Sequence, residues 1–149
     1  MQRWLMKTEP DTFSIDDLKQ HRVEPWNGVR NYQARNFIRA MARGDGVMIY
    51  HSSCAVPGVA GLAKVASAPY PDPGQFDPKD EYFDAGSDRG NPRWTLVDVQ
   101  FVRKLKRTIT LDEIKALRNL GDFALTRRGN RLSVLPVTDA QWNAILALE

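Results

Sequence analysis

One cysteine, Cys54, rules out a disulfide within the chain. That cysteine and two histidines, His21 and His51, are too few for a Cys/His zinc site. Neither a metal nor a cofactor is therefore expected. No apolar run reaches the roughly 18 residues that a membrane span needs. The first ten residues, Met1 to Pro10, lack the apolar stretch of a secretory leader. Repeats and low-complexity tracts are absent, as are the dinucleotide, P-loop, zinc-protease, serine-hydrolase and CxxC signatures. The acid pairs Asp16-Asp17 and Asp112-Glu113 sit at helix starts, where capping accounts for them. These absences lead us to expect a reduced, cytoplasmic, non-enzymatic protein with no membrane contact.

The 149 residues, 42% hydrophobic and 26% charged, suit a single domain with one real core. The net charge is +3, and it is unevenly spread. Pro69 to Arg93 carries six acids against three bases and holds five of the nine prolines, so the rest of the chain is +6. A basic body with one acidic loop fits a polyanionic partner. A loop this long is expected to be a mobile flap.

Hydrophobic spacing predicts strands over Met1–Met6, Val47–Tyr50, Val59–Ala66, Trp94–Leu105 and Leu132–Val137. Gly61 inside the third of these signals a bulge or a close backbone approach. Ser14 to Asp17, Thr110 to Glu113 and Thr138 to Gln141 read as capping boxes that open helices, the second running toward Leu120. Asn31–Met41 is the clearest helix, with Ala34, Phe37, Ile38 and Met41 on one face. No helix separates the strands within Val47–Ala66, which argues for an α+β chain around a small, curved, mostly antiparallel sheet or partly open barrel.

Trp26 to Asn36 is the segment richest in chemistry. It sets an aromatic residue, a glycine turn and several hydrogen-bonding side chains at a helix start, where free N–H groups suit a phosphate or a polar base edge. Arg35, Arg39 and Arg43 recur every four residues along one face, spaced for successive phosphates or for a solvated surface. Ser52 and Ser53 can line a polar pocket or make a turn. Lys7 can point into a pocket or pair with Glu9. Trp94 can offer one face to a ligand or lie in the core. Arg127 to Ser133 is a basic turn into a strand, able to approach an anion or simply to stay solvated.

These segments resemble the EVE domain family of the PUA-like superfamily. Trp4-Leu5-Met6-Lys7-Thr8-Glu9-Pro10, Trp26 through Asn36, Tyr50-His51-Ser52-Ser53-Cys54, Pro57 through Gly61, Trp94 through Val102 and Arg131 through Val137 appear in the family's order. The resemblance implies a PUA-like, curved, mostly antiparallel β-barrel of five or six strands surrounded by helices. It also implies a pocket beside the barrel that reads a modified nucleobase, notably modified cytosine, in DNA or RNA. The expected pocket residues are Lys7, Trp26, Asn31, Tyr32, Ser52, Ser53, Trp94, Arg131 and Ser133, with the base stacked on Trp26 and with Tyr32 or Trp94 completing the wall. Arg30, Arg35, Arg39, Arg127 and Arg128 are expected to hold phosphates. The alternatives are a component or enzyme of nucleic-acid modification, or a module for a free nucleoside or anion. A monomer is expected, with a weak homodimer as the alternative.

Overall fold

Successive residues of strand β1 (Arg3–Thr8) face opposite cores, Trp4 and Met6 on one side and Leu5 on the other. The computed structural model describes residues 1–149. The chain continues through α1 (Ile15–His21), β2 (Val23–Pro25), α2 (Tyr32–Arg39), β3 (Gly46–His51), β4 (Gly58–Val65), β5 (Tyr70–Pro71) and β6 (Thr95–Leu96). It ends with β7 (Asp98–Thr110), α3 (Leu111–Ala116), β8 (Val134–Val137) and α4 (Asp139–Leu146). All three capping boxes form: Ser14 with Asp17, Thr110 with Glu113, and Thr138 with Gln141.

Six strands make one sheet in the order β2-β7-β4-β3-β1-β8. Only β1 and β3 run parallel; the other pairs are antiparallel. The two core clusters fill opposite faces. One holds Trp4, Ile15, Trp26, Ala34 and Ile38, and the other holds Leu5, Met48, Ile109, Trp142 and Ile145. Register shifts between Ile49 and Tyr50, Val59 and Gly61, and Leu62 and Ala63 bend the central strands. Gly61 lies at one of these shifts, and a Cβ there would overlap the side chain of Ile15.

The fold is α+β as expected, but the barrel does not close. β2 and β8 remain two separate edges of a curved half-barrel. Other differences are local. The strand expected over Trp94–Leu105 breaks at Val97 and then runs on to Thr110. The helix expected to reach Leu120 stops at Ala116. Val23–Pro25, which the hydrophobic spacing does not mark, adds an edge strand against β7. No helix is long and apolar enough to cross a membrane.

Candidate functional site

The parallel pairing of β1 and β3 puts the C-terminal ends of both strands at one end of the sheet. Lys7 lies opposite Tyr50 and Thr8 opposite His51, and the Ser52 N–H donates to the Thr8 carbonyl at 3.0 Å. From the other side, the Lys7 N–H donates to the Ser133 carbonyl at 2.8 Å, just ahead of β8. Lys7, Ser52, Ser53, Arg131 and Ser133 thereby converge, although they are far apart in sequence. The segment 24–31, leading into α2, closes a second side. Together they line an open, mainly polar cavity of about 1130 Å³.

A third side comes from the flap, whose residues Lys79, Asp80, Glu81 and Tyr82 also line the cavity. The flap is wired to the body of the domain. Asp72, whose side chain is 1% exposed, accepts from the Gly28 N–H at 2.8 Å and from Arg30 Nη1 at 2.9 Å. Gln75 is fully buried. It donates to the Asp72 and Trp94 carbonyls and accepts from Ser87 Oγ and the Trp94 N–H. The acids have a local cause. Asp72, Asp77, Asp80, Asp84 and Asp88 each accept from the backbone N–H two residues on, a series of Asx turns. The acidic composition thus encodes turns, and the mobile flap of the sequence reading is a hydrogen-bonded wall.

Seven of the nine expected pocket residues line the cavity: Lys7, Trp26, Asn31, Ser52, Ser53, Arg131 and Ser133. Lys7 is half-buried and forms no ion pair with Glu9. Loss of hydration holds its pKa below the usual lysine value, and Nζ sits 5.7 Å from the centre of the Tyr50 ring. Asn31 lines the cavity and also caps α2, its Oδ1 accepting from the Ala34 N–H at 2.9 Å. Ser53 holds a left-handed φ of 53°, a conformation that carries strain in a non-glycine residue. Trp26 is only 8% exposed and belongs to the core, with Phe13 edge-on at 6.0 Å, so it presents little of its ring.

Tyr32 and Trp94 lie elsewhere. They stack on each other at 4.9 Å beside the start of α2, and the Trp94 indole N–H donates to Asp84 at 2.7 Å. Trp94 anchors the flap because its ring is buried and its N–H needs an acceptor. The arginines expected at phosphates are mostly engaged within the protein. Arg30 is committed to Asp72 and to the Tyr82 carbonyl. Arg35 donates to the Arg93 carbonyl, and Arg39 to Thr95 Oγ1 and the Pro92 and Arg93 carbonyls. Arg127 forms a two-pronged pair with Asp122 at 2.8 Å. Arg128 is exposed and forms no ion pair. Arg35 and Arg39 meet neutral acceptors only, so their charges remain uncompensated.

Sequence reasoning missed Tyr82, Phe13 and Asp72. A signal for Tyr82 existed: two adjacent aromatics, Tyr82 and Phe83, inside an otherwise polar loop. Nothing in the local sequence ties Asp72 to Arg30, 42 positions away.

Residues 2–148 match the model of the EVE domain. The chain belongs to the EVE domain family. Among relatives of this EVE domain, human thymocyte nuclear protein 1 is 43% identical over 165 residues, which cover 98% of this chain and 73% of that protein. A Pseudomonas syringae protein of known structure is 49% identical, with a TM-score of 0.94 and 98% of each chain covered. The human THYN1 protein, solved in complex with 5-methylcytosine containing DNA, is 42% identical with a TM-score of 0.92, covering 99% of this chain and 97% of that one.

Proposed function

We propose that this EVE domain binds nucleic acid carrying a modified base, with 5-methylcytosine in DNA the first candidate, and takes the base into the cavity between β1, β3, segment 24–31 and the flap. The observation that carries this reading is the convergence of polar side chains from the ends of β1 and β3, the lead into β8, segment 24–31 and the flap on one cavity, in a chain whose human relative was solved in complex with DNA containing that base. Taking a base out of its stack costs a few kcal/mol, and stacking on an aromatic side chain returns about 1–3 kcal/mol. Lys7, Asn31, Ser52 and Ser133 supply donors and acceptors for the Watson–Crick edge. One buried methyl group contributes only about 0.8 kcal/mol, so discrimination between cytosine and 5-methylcytosine is expected to be a few-fold. The uncompensated charges of Arg35, Arg39, Arg128 and Arg131 supply attraction for phosphates.

The test is fluorescence-polarisation binding to short single- and double-stranded DNA and RNA with unmodified, C5-methyl, C5-hydroxymethyl and N6-methyl bases at two salt concentrations. Preference for one modified base, with affinity falling at high salt, is the expected result. Flat or absent binding across the panel refutes the reading. Salt-independent binding of a free nucleoside would instead identify a small-molecule site.

A further inference from the structure

We propose that Tyr82, on the flap, is the aromatic wall against which the entering base stacks, and that the Asp72–Arg30 ion pair positions it. This deepens the base-binding reading and rests on it. Three aromatic side chains line the cavity, Phe13, Trp26 and Tyr82. Trp26 is 8% exposed, and Phe13 packs edge-on against both Trp26 and His21. Tyr82 is 39% exposed, which makes it the large uncovered aromatic surface in the cavity.

Its exposure is not slackness, because the residue is held at several points. The Tyr82 N–H donates to Asp80 Oδ1 at 2.8 Å, and its carbonyl accepts from Arg30 Nε at 3.0 Å. Its ring rests against Gly28, where a Cβ would lie 2.6 Å from Cε2. Gly28 also has a φ of +83°, so both space and backbone demand glycine there. The Arg30 guanidinium sits 5.5 Å from the ring centre. Gly28 and Arg30, the two neighbours that locate the ring, both donate to the same Asp72 carboxylate. A tyrosine fixed before the ligand arrives loses little rotamer freedom on binding, so more of the stacking energy appears as affinity.

The test uses the full chain and two DNA duplexes, one with 5-methylcytosine and one with an abasic site at the same position, the second reporting backbone contacts alone. Tyr82→Ala is expected to lower affinity for the 5-methylcytosine duplex by about 5- to 150-fold, with abasic affinity within about twofold of wild type. Tyr82→Phe keeps the ring and is expected to keep the affinity. Asp72→Asn is expected to weaken 5-methylcytosine binding, and the double variant Tyr82→Ala with Asp72→Asn to lose no more than Tyr82→Ala alone, because Asp72 acts through the ring. Thermal melts confirm that each variant is folded. A wild-type preference for 5-methylcytosine over the abasic duplex that survives Tyr82→Ala overturns this inference alone, as does an equal loss on both duplexes. An additive double variant overturns the positioning role. Wild-type protein that binds both duplexes equally overturns the base-binding reading and this inference with it.

Discussion

Replacing Gln75 by leucine tests whether the flap is a wall or a gate. The side chain is fully buried and makes four hydrogen bonds, two as donor and two as acceptor. Leucine fills similar space and makes none. The losses are unequal. The Trp94 carbonyl keeps a partner in the Asp72 N–H at 3.0 Å, and the Asp72 carbonyl keeps the Gln75 N–H at 3.4 Å. Ser87 is partly exposed and can turn to water. The Trp94 N–H is left with no acceptor inside the protein. One orphaned buried donor costs about 1–3 kcal/mol and each of the three other lost bonds about 0.5–1.5 kcal/mol, for a total of about 2.5–7.5 kcal/mol. The flap strands β5 and β6 pair only with each other, outside the six-stranded sheet. The penalty therefore falls on local opening of residues 72–94 before it reaches the sheet. Hydrogen exchange of the variant should show faster exchange across 72–94 and unchanged protection in β1, β3 and β4, with weaker base-dependent binding because the cavity loses a side. Flap amides that exchange at the wild-type rate would refute the reasoning, and flap amides that are unprotected in the wild type would refute its premise.

Trp26→Ala is expected to destabilise the fold by about 3–5 kcal/mol, since the ring is 8% exposed within the core cluster; urea denaturation within about 1 kcal/mol of wild type would show that the ring belongs to the cavity instead. Stability should also fall on acidification. His51 Nε2 accepts from the Ile15 N–H at 3.1 Å, which requires a neutral ring, and burial is the main cause that holds its pKa below the ordinary 6.5. The unfolded chain then binds the proton more readily, so this contribution is complete above about pH 6.5 and is lost as pH falls toward the folded-state value. Denaturation between about pH 7 and 5 should show a slope that shrinks in His51→Gln, and equal slopes in the two proteins would remove His51 as its source.

Where local rules decide the structure, the sequence was legible. Each capping box is four consecutive residues, and all three formed. The α2 face of Ala34 and Ile38 is buried as its spacing requires. Closure of the barrel was a different question. It depends on whether the edges β2 and β8 meet, and no pattern of three or four residues encodes that contact. The break at Val97 was equally hidden, because Thr95–Leu96 pairs with Tyr70–Pro71 in the flap while Asp98 onward pairs with β4 and β2. Alternation looks the same in a strand that changes sheets and in one that does not.

The site shows the same division with a consequence for function. Residues at strand ends and helix starts, such as Lys7, Ser52 and Asn31, could be placed because β1, β3 and α2 could be placed. Aromatic residues could not be sorted by chemistry alone. Trp26, Tyr32, Trp94 and Tyr82 are all able to stack on a base, but Trp26 and Trp94 are buried in the protein, and Tyr32, though 54% exposed, packs on Trp94 outside the cavity. Asp72 reaches Gly28 and Arg30 across more than forty residues and ties the flap, with Tyr82, to the cavity edge. The acids of the flap look like a charge feature in the sequence, and as Asx turns plus one buried ion pair they are a scaffold. A loop built this way can hold an exposed ring still, and a still ring is what a domain needs when the group to be recognised contributes less than 1 kcal/mol by burial.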